Sequence, residues 1–281
     1  MNHSHSAKDC ARAFPKPFRD RMTRFCDTNP RHDGASTRER TGASPSGGGG
    51  HGYRLRSPQP RDSLPVPHPD AAKIEITALM NWLAHLQLSE PTPEALIGGL
   101  LPDLVRGPEL QDASPVFQTG IREHRLIDSF TDRHPVFARS KQRIDESMRR
   151  FSGIIIDVFY DHFLTRRWHE YSTRPLAPFL AEFHGMIDEF WEHIPVSAQP
   201  RLARMRDEGW LESYGTIQGV AMALTRIGRR LKRPVNLGQA TDDLDRHYEA
   251  LSTDFGNFYP ALAEQVRIDR AARSAAVPGV F

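Results

Sequence analysis

Apolar residues recur at helical spacing along most of the chain from Met80 onward. No stretch alternates apolar and polar residues as a strand does, and the chain has no Asn-Gly hairpin signal and no repeat of fixed period. The predicted fold class is therefore all-α, and roughly 200 residues suffice for a single core. The predicted helical segments are MNWLAHLQLS, PEALIGGLLPDLVRG, PVFQTGIREHRLIDSFTDR, PVFARSKQRIDESMRR, 151–171, 176–194, 200–213, 214–231, 240–258 and 260–274.

Capping and breaking residues set the predicted ends of several helices. Thr92 can cap the helix that has Pro93 at its first position, and Gly107 ends that element. Ser114 is the predicted cap of the next helix, which stops before Pro135. The segment after Pro135 is predicted to be a basic amphipathic helix.

The segment from Phe151 to Tyr171 is predicted to be one buried helix around which the rest of the chain is organised. Asp157 and Asp161 are four residues apart and lie on one face of it, and His162 follows about 100° further round the helix. Burying a carboxylate is costly unless it is paired or binds a metal. Asp157 and Asp161 are therefore either paired with buried arginines or functional.

The first 79 residues differ in composition from the rest of the chain. They hold 13 of the 37 Lys+Arg, 8 of the 35 Asp+Glu and both cysteines, with many glycines and prolines and no hydrophobic period. We expect residues 1–79 to be a disordered leader and residues 80–281 to be one helical domain. The predicted domain has no cysteine for disulfide or thiol chemistry and an acidic balance that gives no reason to expect nucleic acid. No apolar run reaches membrane-spanning length, and we expect a soluble, cytoplasmic protein.

Acidic and imidazole groups share single faces of several predicted helices. His124 and Asp128 are four residues apart, and Asp103 lies within one turn of Arg106. This mixture of imidazole and carboxylate suits Mn²⁺, Mg²⁺ or Zn²⁺. A divalent metal held by histidine and aspartate is a common means of cleaving phosphoesters near neutral pH.

Each of these groups also has a structural interpretation. His124 and Asp128 can be a simple surface pair, and His85 and His162 can be satisfied core histidines. HD phosphohydrolases carry an adjacent His-Asp pair, whereas here the order is reversed, Asp161-His162. The pattern alone therefore supports only a helical hydrolase that depends on a metal.

Five blocks of the sequence resemble the bacterial acyl carrier protein phosphodiesterases. The blocks are MNWLAHLQLS, GGLLPDLVRG, GIREHRLIDSFTD, DVFYDHFLTRRW and DLDRHYEAL, and the match runs in order from Met80 to about Arg273. Tyr160 stands where the family is expected to have tryptophan. Family members usually begin at the Met-Asn of the first block, so an alternative is that Met80 is the true start and that the upstream residues come from a mis-called reading frame.

The resemblance implies a reaction, a cofactor and a fold. The family hydrolyses the phosphodiester that joins 4′-phosphopantetheine to a serine of acyl carrier protein, needs a divalent cation, typically Mn²⁺, and is held to be a distant helical relative of the HD phosphohydrolases. Carried over by position, His162 is expected to act in catalysis. Arg106 and Arg125 lie next to the acidic blocks and are candidates either to offset phosphate charge or to neutralise the buried carboxylates. The implied metal ligands are His85, Asp103, His124, Asp128, Asp157 and Asp161.

Because carrier proteins are small and acidic, the resemblance also implies a basic docking surface. Two basic groups are candidates, and each can equally be a solvated face. They are Arg139, Lys141, Arg143, Arg149 and Arg150, and Arg226, Arg229, Arg230, Lys232 and Arg233. Two other functions stay open at this point, an HD-like phosphohydrolase that acts on a nucleotide and a carrier-protein binding module without catalysis.

Overall fold

The computed structural model describes residues 82–276, and these residues are helical almost throughout. The predicted leader, 1–79, and the candidate start Met80 lie outside the described residues. The α-helices are α1 (Trp82–Leu88), α2 (Pro93–Gly98), α3 (Leu101–Leu104), α4 (Pro108–Arg133), α5 (Pro135–Lys141), α6 (Ser152–Arg166), α7 (Trp168–Tyr171), α8 (Leu176–Glu189), α9 (Gln199–Asp207), α10 (Trp210–Ser213), α11 (Ile217–Arg229), α12 (Thr241–Arg246) and α13 (Tyr248–Ala276). Short 3₁₀ helices cover Glu146–Phe151, Trp191–His193 and Leu237–Ala240.

The all-α prediction is confirmed, since no strand occurs within residues 82–276. None of the described helices is both long and apolar enough to cross a membrane. Thr92 caps α2 as predicted, because its hydroxyl accepts a hydrogen bond from the Ala95 amide at 3.2 Å.

The structure corrects the predicted ends of several helices. The central helix ends at Arg166, because Arg167 leaves the helical conformation with φ −112° and ψ 21°, and α7 then forms a separate turn. The basic segment after Pro135 is likewise not one helix. Helix α5 ends at Lys141, and a separate 3₁₀ helix follows. Asp145 caps that 3₁₀ helix, because its carboxylate accepts a hydrogen bond from the Ser147 amide at 3.0 Å.

Two prolines predicted to lie at helix boundaries lie inside helices instead. The helix expected to begin after Ser114 begins instead at Pro108 and continues through Pro115. Gly107, the residue before its first turn, has a φ of 63°. The helix expected to begin at Pro260 is part of α13, which starts at Tyr248. A proline weakens a helix locally, but packing of the rest of a long helix outweighs that cost.

Helix α6 lies at the centre of the described core. Eleven of its 15 residues are buried, among them Ile155, Phe159 and Leu164. It packs against α1, α5, α11 and α13. The central position predicted for this segment is therefore confirmed, and the same helix carries Asp157, Asp161 and His162.

Helices α2 and α4 cross at two glycines that allow their backbones to touch. A Cβ atom on Gly120 would collide with the backbone of Ala95, Gly98 and Gly99, and one on Gly98 would collide with the carbonyl oxygen of Phe117. This crossing holds α4, which carries His124 and Asp128, against the turn that contains Gly99.

Gly120→Ala is expected to lower the free energy of unfolding by about 1–3 kcal/mol, since the added methyl group has no space at the crossing. Gly153→Ala is the matched control, because a Cβ atom there meets nothing within 4 Å. The control should be neutral or up to about 1 kcal/mol stabilising, as alanine is the better helix former. Urea unfolding of both variants measures this, and equal stabilities would contradict the close crossing.

Candidate metal centre

Three side chains from two helices meet at the contact between α1 and α4. His85 comes from α1, and His124 and Asp128 lie one turn apart on α4. His124 Nε2 lies 3.0 Å from Oδ2 of Asp128, and His85 Nε2 lies 3.3 Å from Oδ1 of the same carboxylate. One ligand atom from each residue can be chosen so that all lie within 4.8 Å of one another. The three residues could therefore hold a metal ion.

The two histidine rings are held in different ways. They stack with centroids 4.1 Å apart and an interplanar angle of 17°. The Nδ1 of His124 donates to the carbonyl oxygen of Gly99 at 2.8 Å, which leaves Nε2 facing the carboxylates. His85 is 1% exposed, its Nδ1 has no hydrogen-bond partner within residues 82–276, and its Nε2 has only the 3.3 Å contact with Asp128. A buried imidazole with so little polar contact is costly, and a metal ligand bond would satisfy one of its nitrogens.

Burial and neighbouring charges shift the pKa values of the three residues in different directions in the metal-free protein. Burial and the neighbouring His124 lower the pKa of His85 to about 4. Burial alone would also lower the pKa of His124, but the carboxylates of Asp103 and Asp128 raise it to about 9. Burial would raise the pKa of Asp128, but the two histidines hold it well below its usual range. One imidazole is thus ready to bind a cation, while the other carries a proton that a cation would displace.

Two further carboxylates border this group. Asp103 is buried, lies 3.7 Å from His124 Nε2 through one oxygen and accepts a hydrogen bond from the Trp82 indole at 2.9 Å through the other. Asp157 is partly buried, and burial followed by repulsion from Asp128 and other aspartates raises its pKa well above the usual range. Carboxylates have therefore accumulated here, as a cation site requires, and the charged form of Asp157 is disfavoured until a cation offsets the repulsion.

Asp161 lies one turn from Asp157 on α6, as predicted, and its carboxylate is engaged by α1. It is fully buried, and its two oxygens accept hydrogen bonds from the backbone amides of Leu83 and Ala84 at 3.2 and 3.1 Å. These amides belong to the first turn of α1, where no helical carbonyl is available to them. Asp161 therefore caps α1 from within the core. Burial raises its pKa to about 7, although the two amides act in the opposite direction.

His162 is also engaged within the core. Its Nδ1 bonds the carbonyl oxygen of Tyr214 at 2.8 Å, and its Nε2 lies 3.1 Å from the Tyr248 hydroxyl. The side chain is 2% exposed, and burial lowers its pKa. Both ring nitrogens thus have structural partners.

Comparison with known proteins identifies the family. A family model described as acyl carrier protein phosphodiesterase matches residues 80–262. Proteins named acyl carrier protein phosphodiesterase from Salmonella dublin, Salmonella agona and Salmonella newport are each 35% identical to this chain over 191 residues, which is 66% of this chain and 97% of each relative. This chain belongs to the acyl carrier protein phosphodiesterase family.

The resemblance seen in the sequence is thereby confirmed, and the match to the phosphodiesterase family covers all six predicted ligands. No solved structure matches the chain. The relation to HD phosphohydrolases stays a prediction.

The arginines predicted from the family blocks lie at the surface. Arg125 is exposed on α4, three residues before Asp128, and Arg106 is exposed between α3 and α4. Sequence analysis missed Arg201 of α9, whose guanidinium donates to the backbone carbonyl of Asp103 at 3.0 Å. It also missed Trp82, which orients the Asp103 carboxylate. Neither residue has a spacing signal, because each reaches Asp103 from a helix distant in sequence.

The stability of the metal-free phosphodiesterase domain should fall between pH 6.5 and 9 through His124. Its folded pKa of about 9 lies above the ordinary histidine value of 6.5, so the protonated form stabilises the protein below pH 6.5, and this contribution is lost as the pH rises through 9. In His124→Gln the fall should be smaller by on the order of 1–3 kcal/mol. Urea unfolding in EDTA at the two pH values measures this, and identical pH dependence in both proteins would contradict the assigned charge.

Proposed function

We propose that this protein hydrolyses the phosphodiester between 4′-phosphopantetheine and a serine of acyl carrier protein, with a divalent metal as cofactor. The products are apo-carrier protein and 4′-phosphopantetheine. Membership of the acyl carrier protein phosphodiesterase family supports the substrate. The observation that carries the metal dependence is the convergence of His85, His124 and Asp128. The cytoplasmic location expected from the sequence stays a prediction.

The residues proposed to hold the metal are His85, His124 and Asp128, with Asp157 and Asp103 as further carboxylate donors. Two imidazoles with carboxylates suit Mn²⁺, which is our first choice of metal, and Mg²⁺ and other divalent ions remain open to test. A divalent cation there supplies positive charge to a phosphodiester and activates water as the nucleophile. It would also relieve the repulsion that raises the pKa of Asp157.

The protein's own groups keep these ligands in place. The Gly99 carbonyl fixes the ring of His124, and the Trp82 indole fixes the Asp103 carboxylate. The exposed Arg125 lies one turn from Asp128, where a guanidinium can pair with a phosphate oxygen. Arg106, whose charge acts on Arg201, is proposed to have the same role.

Asp161 and His162 are assigned to the fold instead of to the chemistry. Both oxygens of Asp161 accept from α1, and both ring nitrogens of His162 are hydrogen-bonded. A ligand or base would have to give up these bonds. Their predicted roles as metal ligand and catalytic group therefore have the weakest structural support among the family residues.

The two alternative functions have less support. A binding module without catalysis does not account for His85, whose buried Nδ1 has no hydrogen-bond partner among the described residues and whose Nε2 has only the 3.3 Å contact with Asp128. A phosphohydrolase that acts on a nucleotide would share the metal chemistry, but the family match names a carrier-protein phosphodiesterase.

The full-length protein is expected to convert holo-carrier protein to the apo form when Mn²⁺ is present, with the loss of the phosphopantetheine mass followed by mass spectrometry. Asp128→Asn should lower kcat/KM by at least about a hundredfold, since it removes the charge of a proposed metal ligand that also contacts both histidines. Asp112→Asn is the matched control. Asp112 is an exposed residue of the same helix and should tolerate the change.

The outcomes separate the parts of this proposal. Retained mass of the carrier protein at every metal concentration would contradict the activity. Full turnover in EDTA would contradict the metal dependence. Equal activity of the Asp128 and Asp112 variants would remove Asp128 from the centre.

A further inference from the structure

Two arginines, Arg226 and Arg230, lie over the ring of Trp210 beside the candidate metal centre, and the charges of Arg201 and Arg204 act on Arg230. We name this group the arginine–tryptophan cleft, and it consists of Arg201, Arg204, Arg226, Arg230 and Trp210. The geometry points to the cleft as the site that binds carboxylate side chains of the acidic carrier protein next to its modified serine. The partner named here rests on the proposed function.

The cleft is formed by the packing of three helices. Arg201 and Arg204 lie one turn apart on α9, Trp210 begins α10, and Arg226 and Arg230 lie one turn apart at the end of α11. The guanidinium carbons of Arg226 and Arg230 lie 4.3 and 5.6 Å from the centre of the same Trp210 ring. The stacking fixes both guanidinium groups in place and leaves their edges free to donate.

Two carboxylates of the described residues act on these arginines, Asp103 on Arg201 and Glu208 on Arg226 and Arg230. Glu208 is shared, at 3.5 Å from Arg204 and 3.9 Å from Arg226, and it also accepts from the Trp210 indole at 2.7 Å. No ion pair joins Arg230 to a carboxylate in this part of the chain, although the charge of Glu208 acts on it. Burial, followed by the charges of Arg201, Arg226 and Arg204, lowers the pKa of Arg230. An incoming carboxylate would therefore relieve the repulsion between Arg230 and the neighbouring arginines.

The other basic group predicted from the sequence is already neutralised in part. Arg139 and Arg143 both pair with Asp254, at 2.5 and 3.2 Å, and Ser140 also donates to that carboxylate. Asp254 is almost fully buried, so this network ties α5 to α13. Arg139 and Arg143 are thus committed within the fold, which favours the arginine–tryptophan cleft as the docking surface.

A single indole separates the cleft from the metal centre. Trp82 stacks on Trp210 with ring centroids 5.9 Å apart, and its Nε1 donates to Asp103. The other carboxylate oxygen of Asp103 lies 3.7 Å from His124 Nε2. A protein whose carboxylates bind the cleft would thus place groups attached to neighbouring residues close to His85 and His124.

Binding of purified holo-carrier protein tests this without any need for turnover. Arg230→Glu in the full-length protein is expected to weaken binding at least about tenfold at low salt and to reduce its salt dependence. Arg229→Glu is the matched control, because Arg229 is the adjacent, equally exposed arginine and makes no ion pair within residues 82–276. It should change the dissociation constant less than about threefold. Arg204→Glu is a second test variant on another helix and should behave like Arg230→Glu.

Three results would overturn the inference. They are no binding of carrier protein to the parent protein, equal loss in the Arg230 and Arg229 variants, and binding by Arg230→Glu and Arg204→Glu that equals the parent. Turnover measured in parallel keeps the two proposals distinct. If the parent cleaves holo-carrier protein but the reversal variants bind it normally, the cleft is wrong and the proposed activity stands. If the variants lose binding but the parent cleaves nothing, the cleft stands and the proposed activity fails.

Discussion

The buried carboxylate of Asp161 joins the central helix to the helix that begins the candidate metal centre. Its two oxygens accept from the amides of Leu83 and Ala84, so α1 starts against the middle of α6. Because α1 has only seven residues, tertiary contacts must supply most of its stability. This one helix presents His85 to α4 and Trp82 to both Asp103 and Trp210. The position of the candidate metal centre and that of the arginine–tryptophan cleft therefore depend on the same capping interaction.

The second constraint is the close crossing of α2 and α4. Gly98 and Gly120 remove the side chains that would separate the backbones, and the Gly99 carbonyl then reaches the ring of His124. One ring nitrogen is fixed by the fold, and the other is directed at Asp128 and Asp103. The result is a site in which backbone packing sets the ligand geometry and accumulated carboxylates set the charge. Both properties favour a divalent cation over a network of internal ion pairs.

Sequence analysis succeeded where the signal was local. Helical periodicity gave the all-α class, and the spacing of His124 and Asp128 correctly placed them on one face. It was wrong at the helix boundaries at Ser114 and Pro260, because the packing of long helices outweighs the local cost of a proline. It could not foresee that Asp161 caps a helix 78 residues earlier or that Arg201 reaches Asp103, since both contacts exist only after the helices have packed. The ligand roles carried over from the family remain predictions. The distances favour His85, His124 and Asp128 as ligands over Asp161, whose two oxygens accept hydrogen bonds from α1.

The most direct measurement is anomalous X-ray diffraction from crystals of the protein grown with Mn²⁺. We expect one strong anomalous peak between His85, His124 and Asp128, at about 2.0–2.3 Å from ligand atoms of all three. A peak at Asp161 and His162, with none at the three residues, would contradict the account. So would crystals that hold no manganese while the same protein cleaves holo-carrier protein in its absence.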